Sequence, residues 1–435
     1  MSQRDMKATD MQNRIDAITH AINPHRLWDS IMEMAKYGAT ANGGVNRLAL
    51  TETDNNVRLI LLEWINRPNY QFFVDAIGNL FIRRDGACPS SAPVMTGSHL
   101  DTQPSGGKFD GIYGVLAGLE VFRTLDDLEM VTSSPLELAV WANEEGCRFV
   151  PGCMGSACFA KPEDLMHWLA ITDSENISVG QAVACFHRTM AGISHRPLGI
   201  PVQAYVEAHI EQGPILENTA ATIGIVSGIQ GCRDFQVIIT GMEAHAGTTP
   251  ASSRHDAMKT AVQLLHDLYT DEALASDECR FTIGAFQVYP NSSSVVPGRV
   301  VFNIDLRHPL QSSLTVLGNK IIELCDKHSH TGRCRIQAKE LRWRRPIELG
   351  KNIPDLIQNA ADRLTLPSRV LPSGASHDAV NLYQCCPTGM IFVPCEGGIS
   401  HNEKENAAFG DLHAGAQVLA EVLYRLAENS RESML

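Results

Sequence analysis

The run LELAVWA at residues 136–142 constrains the fold more than any other feature, because it is short and almost wholly apolar. A strand of that kind is buried on both faces, as in sheets covered by helices above and below. Further strand candidates lie at 71–74, 79–83 and 93–97, and a helix pattern occupies 112–125. Upstream, Asn23-Pro24 has the form of an N-cap followed by proline at the first helical position, leading into a helix over 25–37. A second helix is expected over 52–66, with Val57, Leu61, Leu62 and Trp64 among its apolar positions. This βα alternation predicts an α/β layer fold with a mostly parallel central sheet.

At 435 residues the chain is long enough to divide into two domains. The pattern changes at about residue 214. Strands are expected at 221–226, 235–240, 281–288 and 299–306, with helices over 254–269 and 314–328. That order describes a compact α+β unit. Beyond it the α/β pattern returns, with a strand at 389–394 and a closing helix at 412–427. The expectation is therefore a two-domain chain, in which an α+β insertion over 214–330 interrupts a first domain built from 1–213 and 331–435.

The formal charge of −13 argues against a nucleic-acid partner, which needs a concentrated Lys and Arg surface. An anionic substrate is compatible with it, since a single buried arginine binds a carboxylate inside an acidic protein. No uninterrupted apolar run reaches about 18 residues, so no membrane helix is expected. The first residues lack the apolar core of a secretory signal. The 12 cysteines are scattered apart from Cys385-Cys386 and form no CxxC pair, which reads as buried reduced thiols rather than a disulfide framework. Together these features predict a cytoplasmic protein.

Side chains of the metal-binding type stand just past the strand candidates. His99 and Asp101 follow 93–97, Glu144 and Glu145 follow 136–142, His209 ends an apolar stretch at 202–210, and His401 follows 389–394. Ligand sites in open α/β sheets form at the C-terminal ends of strands. Taken singly, each of the 16 histidines carries little weight; their recurrence with carboxylates at strand ends points to a metal centre. Two divalent ions about 3.5–4 Å apart need a bridging carboxylate, and each needs further histidine or carboxylate ligands. The turn Gly106-Gly107-Lys108-Phe109-Asp110-Gly111 can bring Asp110 close, because its glycines impose little steric cost. Of the consecutive Glu144 and Glu145, one can bind metal while the other turns toward a water as general base. Asp101 is placed to accept the second ring N–H of a metal-bound His99. The sequence has no HExxH, no GxSxG elbow, no Walker loop and no GxGxxG after a strand.

The segments GSHLDTQPSGGKFDGIYGVLAG, WANEEGCRF, EAHIEQGPILE, GMEAHAGTTP, IDLRHP, SGASHDA and GMIFVPCEGGISHNEKE resemble the M20-type metallohydrolases, over nearly the whole chain and in that family's order. Within the family they are similar to the amidase branch: N-carbamoyl-L-amino acid hydrolases, β-ureidopropionases, and allantoate and ureidoglycolate amidohydrolases. The resemblance implies a catalytic domain interrupted by a lid domain that also forms a homodimer. It implies two divalent ions per subunit, zinc or manganese first and cobalt or nickel as well. His99, Asp110 and His209 would hold one ion, Asp110 would bridge, and Glu145 and His401 would complete the second. Glu144 corresponds to the general base, and His245 to an oxyanion-stabilising histidine reaching in from the partner subunit. Arg307 corresponds to the residue that binds the substrate carboxylate, and Gln212 to a substrate-contacting glutamine.

The chain departs from the family at three places. Ser294 stands where asparagine usually precedes the VVPG turn, with Asn291 nearby as a stand-in. Ser376 replaces a usual glycine beside His377, in a segment expected to line the substrate pocket. Lys161 replaces another. The expected reaction is hydrolysis of the ureido C–N bond of an N-carbamoyl amino acid, releasing the amino acid, ammonia and carbon dioxide. The rivals are allantoate or ureidoglycolate hydrolysis, an aminoacylase or dipeptidase activity, and a catalytically silent metal-binding relative. EAHIEQG and AHAGTTP favour the carbamoyl branch, and Glu144 beside a full ligand set argues against the silent relative.

Overall fold

The structure is a computed structural model that describes residues 3–65 and 67–429. The chain divides into two compact units, Met1–Ser227 with Leu349–Leu435, and Gly228–Glu348. At the heart of the first unit are four strands: β1 (Val94–His99), β2 (Leu136–Trp141), β3 (Ala204–Ile210) and β4 (Thr388–Val393). They lie side by side in the order β4-β3-β1-β2, every neighbouring pair parallel, at the centre of a ten-stranded sheet. Every residue in them is buried, which is why their sequences read as apolar runs rather than alternating ones. Antiparallel strands flank this core, Leu80–Arg84 beside β2 and Ile223–Ile229 beside β4.

Because the four central strands are parallel, their C-terminal ends share one edge of the sheet. The helix Ile112–Asp127 packs on β1 and β3, and the closing helix Phe409–Glu428 packs on it in turn. Close approach is possible because position 114 is glycine: a Cβ there would stand 2.3 Å from the Ala208 carbonyl oxygen on β3. Asn23 caps the helix Pro24–Met34 by accepting from the Arg26 backbone N–H, as expected. The helix expected over 52–66 runs Glu52–Trp64, and Asn66 lies outside the described residues.

The second unit is a four-stranded antiparallel sheet in the order Arg280–Tyr289, Arg299–His308, Gly231–Thr240, Arg335–Arg344. The helices Ala257–Thr270 and Gln311–Thr331 pack on it, and Phe235, Val237, Leu264, Phe302, Ile304 and Leu314 share its core. Both limits fall later than the 214 and 330 expected from sequence. Ile223–Ile229 hydrogen-bonds to β4 and so belongs largely to the big sheet, while Arg335–Arg344 pairs with Gly231–Thr240. Among the described residues, no helix is long and apolar enough to cross a membrane.

One buried cation braces the edge where the functional residues gather. Arg58 lies 3.3 Å from Asp54, both fully buried, and donates to the carbonyls of Gly78, Val140 and Trp141 at 3.3, 3.4 and 3.3 Å. Val140 and Trp141 are the last residues of β2. Arg58→Met leaves Asp54 buried without its partner and should cost about 3–5 kcal/mol of stability. A lower urea midpoint with an unchanged slope checks this.

Candidate metal centre

The C-terminal ends of the parallel strands bring the expected donors together. His99 ends β1, His209 lies one residue from the end of β3, and Glu144 and Glu145 follow β2. Asp110 sits at the start of the helix Ile112–Asp127, held against His99 because residue 111 is glycine at φ 70°, where a Cβ would stand 2.4 Å from the His99 ring. His401 lies on the loop after β4. Oδ1 of Asp110 is 3.2 Å from His209 Nε2 and 3.8 Å from His99 Nε2, whereas Oδ2 is 3.3 Å from His401 Nε2. Glu145 Oε2 lies 3.4 Å from His401 Nε2, and Glu144 Oε2 lies 3.5 Å from His99 Nε2. Two donor groups result, His99–Asp110–His209 and Asp110–Glu145–His401, with Asp110 common to both.

These separations suit a cation. Four ligands at about 2.1 Å in a tetrahedron stand about 3.4 Å from one another. The donor atoms are spread over 3.2–3.8 Å, wider than direct hydrogen bonds would draw them. The imidazoles have the required form as well. His99 Nδ1 and His209 Nδ1 are each 2.8 Å from a backbone carbonyl, those of Asp101 and Ile210, to which their N–H groups donate. Each Nε2 faces Asp110 and is the atom that would give its lone pair to a cation, although at His209 burial is outweighed by Asp110, which raises the ring to about 9.

Here the expected role of Asp101 is corrected. Its carbonyl, not its carboxylate, accepts from His99, and Oδ1 is 3.9 Å away from the ring. The carboxylate instead accepts the backbone N–H groups of Glu144 and Glu145 at 3.3 and 3.2 Å, fixing the turn that carries the glutamate pair. His377 is 2% exposed, its ring centroid 4.4 Å from that of His209 and its Nε2 3.0 Å from Ser373 Oγ, so it packs against one of the donors. Ser376 beside it is half-buried. Glu207, His209 and His377 also come within ligating reach of one another. The Glu207 oxygens, however, are already taken by Ser98 Oγ at 2.8 Å and the Ala379 N–H at 3.1 Å.

Gln212 lies among the donors, its Nε2 2.8 Å from Asp110 Oδ2 and 3.2 Å from Ser400 Oγ. Sequence reasoning missed Glu405, which accepts the backbone N–H groups of Phe109 and Asp110 at 2.9 and 3.0 Å and the Ser400 hydroxyl at 2.8 Å. It also missed Asp378, fully buried and accepting from Ser156 Oγ at 2.5 Å. Only the acidic character of NEKE and the SGASHDA segment hinted at either.

The electrostatics call for added positive charge. Burial pushes Glu144 well above the usual carboxylate range, and Asp378, Glu145, Asp101 and Asp110 add to it. Burial raises Glu145 to about 8, Asp101 to about 7 and Glu405 to about 7. Burial works against Asp110 as well, yet His209 and His401 hold it well below its ordinary value. Burial pushes the Cys147 thiol up to about 12, with Glu145 and its neighbours adding to that.

In the second unit, His245 pairs with Val295, and the Ala246 N–H donates to the Ser294 carbonyl at 2.9 Å. Asn291 and Ser294 are therefore on the exposed loop beside His245. His245 Nδ1 accepts from the backbone N–H groups of Gly247 and Thr248 at 3.0 and 3.2 Å, so the ring proton resides on Nε2. Arg307 donates from Nε and Nη2 to Asp305, each at 2.9 Å. It pairs with Cys232, at the opposite end of the strand Gly231–Thr240 from the His245 side.

Histidine and carboxylate donors at the C-terminal ends of parallel strands define a candidate metal centre in an α/β fold. The model of Peptidase family M20/M25/M40 matches residues 95–425, and the chain belongs to that family. It is 38% identical to an N-carbamoyl-L-amino-acid amidohydrolase of Rhizobium meliloti, over 94% of this chain and 97% of that protein. It is 31% identical to an allantoate amidohydrolase of Bacillus subtilis, over 92% and 97%. Among solved structures, an amidase of the hydantoinase/carbamoylase family from Burkholderia multivorans superposes with a TM-score of 0.88 at 40% identity, covering 94% of this chain and 98% of that one. Family and donor groups together identify a divalent-metal site.

A cation binding here must displace the proton that Glu145 holds below about pH 8. A raised carboxylate binds metal fully only above its own value, so affinity should fall as pH drops from 8, by about tenfold per unit for one displaced proton. Chelator competition between pH 8.5 and 6 measures the slope.

Proposed function

We propose that the chain is a binuclear metal-dependent amidohydrolase that cleaves the ureido C–N bond of an N-carbamoyl amino acid, giving the amino acid, ammonia and carbon dioxide. The observation that carries this reading is the split carboxylate of Asp110, in a chain 38% identical over 94% of its length to an enzyme of that name. On this reading His99, Asp110 and His209 hold one ion, and Asp110, Glu145 and His401 hold the other. Mixed histidine and carboxylate ligands suit zinc or manganese, and cobalt or nickel as well. When bound, such ions polarise a carbonyl oxygen and make a water acidic.

The rest of the chemistry belongs to side chains. Glu144 takes a proton from the attacking water and delivers it to the leaving nitrogen. His245, with its proton on Nε2, donates to the carbonyl oxygen as negative charge develops there. Arg307, steadied by Asp305, fixes the substrate carboxylate. Gln212 contacts the substrate from beside Asp110, Ser376 borders it, and Ser294 and Asn291 approach it with His245.

His245 and Arg307 favour a homodimer. Eight residues separate Cys232 from Thr240, the strand ends near which they sit, a distance of about 26 Å in extended chain. A carbamoyl carbon and a carboxylate in one small substrate are only a few ångströms apart. The two side chains acting on one substrate therefore come from different protomers, joined through the second unit. Among the described residues the 12 cysteines form no disulfide, which suits a reducing cytosol. Allantoate hydrolysis is the second reading, favoured by the 31% identical allantoate amidohydrolase of Bacillus subtilis.

Metal-free protein reloaded with each ion, assayed for ammonia from N-carbamoyl amino acids and allantoate, tests the function. N-carbamoyl amino acids should be the best substrates. No turnover of any ureido compound alongside brisk cleavage of acyl amino acids would overturn the reading. Glu144→Gln should lower kcat by about 10²–10⁴-fold. His245→Ala should lower kcat by about 10²–10³-fold, whereas Arg307→Ala should raise KM for carboxylate substrates.

A further inference from the structure

Glu144 and Glu145 are consecutive and chemically identical, yet the fold gives each a different holder. Glu144 Oε1 accepts from the Cys153 thiol at 3.4 Å, which leaves Oε2 as the oxygen turned toward His99. Glu145 is gripped by Gln103, whose backbone N–H donates to Oε1 at 3.0 Å and whose side-chain Nε2 donates to Oε2 at 2.7 Å. The Gln103 amide is set in turn by Cys147, whose thiol donates to Gln103 Oε1 at 2.9 Å. A carboxylate that has given up its proton to act as a ligand only accepts hydrogen bonds, which matches an amide that turns its NH₂ to Glu145 and its oxygen to the thiol.

Building on the roles given above to the two glutamates, we propose that Cys153 and Gln103 are the positioning residues that divide the labour between them. Cys153 presents one Glu144 oxygen to the reacting water, and Gln103, braced by Cys147, holds Glu145 as a ligand. Each acts on a carboxylate that would otherwise turn about its last bond. Asp101 fixes the two backbones alike, through one N–H each, and so does not distinguish the pair. The distinction lies in the side-chain partners.

Two readouts on the full-length chain separate this from a packing role: zinc affinity by competition with a chromogenic chelator, and kcat and KM on an N-carbamoyl amino acid. Cys153→Ala should keep zinc affinity and KM while kcat falls about tenfold or more, and Cys153→Ser, which restores a donor, should recover most of that loss. Gln103→Leu should weaken zinc at one site by about 10–100-fold, and Cys147→Ala should act in the same direction but less. Should Gln103→Leu fail to fold, Gln103→Met keeps the length without the donor and decides the point. Full kcat in Cys153→Ala, a serine variant no better than alanine, or wild-type zinc affinity without the Gln103 amide would each overturn the proposal. Absence of ureido turnover by the wild-type protein would instead count against the assigned function, and the zinc measurement would still decide the part played by Gln103.

Discussion

The site depends on one buried carboxylate with two faces. Asp110 turns Oδ1 to His209 and His99 and Oδ2 to His401, which itself faces Glu145. Buried charges are costly unless paired, and the surroundings of Asp110 hold more acid than base. Glu144, Glu145, Asp101 and Glu405 are all pushed upward by burial and by neighbouring acidic groups. Divalent-metal binding at these donor groups would offset that imbalance, and the spacing of the donor atoms matches what such an ion requires.

The fold supplies the rigidity this arrangement needs. Parallel strands covered on both faces put their C-terminal ends on one edge, and each of the four delivers a donor there or just beyond. The supports then come from far away in sequence. Glu405 holds the Phe109-Asp110 backbone across 296 residues, while Arg58 ties down the carbonyls that end β2. A weakened support loosens a donor without touching it, which is how distant substitutions reach a metal centre. In the second unit, Arg307 stands at one end of the strand pair that it forms with Gly231–Thr240, and His245 lies in a separate two-stranded ribbon beyond the other end.

Much of this was legible in the residues. The strands β1 to β4 announced themselves because burial on both faces makes a strand apolar throughout, and the donors followed directly after those runs. The outer strand Arg335–Arg344 gave no such signal, being charged and largely exposed, so the second unit's limit was placed too early. Spacing placed Asp101 beside His99 correctly, but it could not say that the backbone carbonyl would accept the ring proton and free the carboxylate for Glu144 and Glu145. The roles of Glu405, Asp378, Gln103 and Cys153 rest on three-dimensional meetings that local pattern does not encode.

The most direct measurement is anomalous diffraction from crystals grown with manganese or zinc. Two peaks about 3.5–4 Å apart, one on the His99–His209 side of Asp110 and one on the Glu145–His401 side, are what a shared carboxylate predicts. A single fully occupied peak at saturating metal, or two peaks without Asp110 between them, would contradict it.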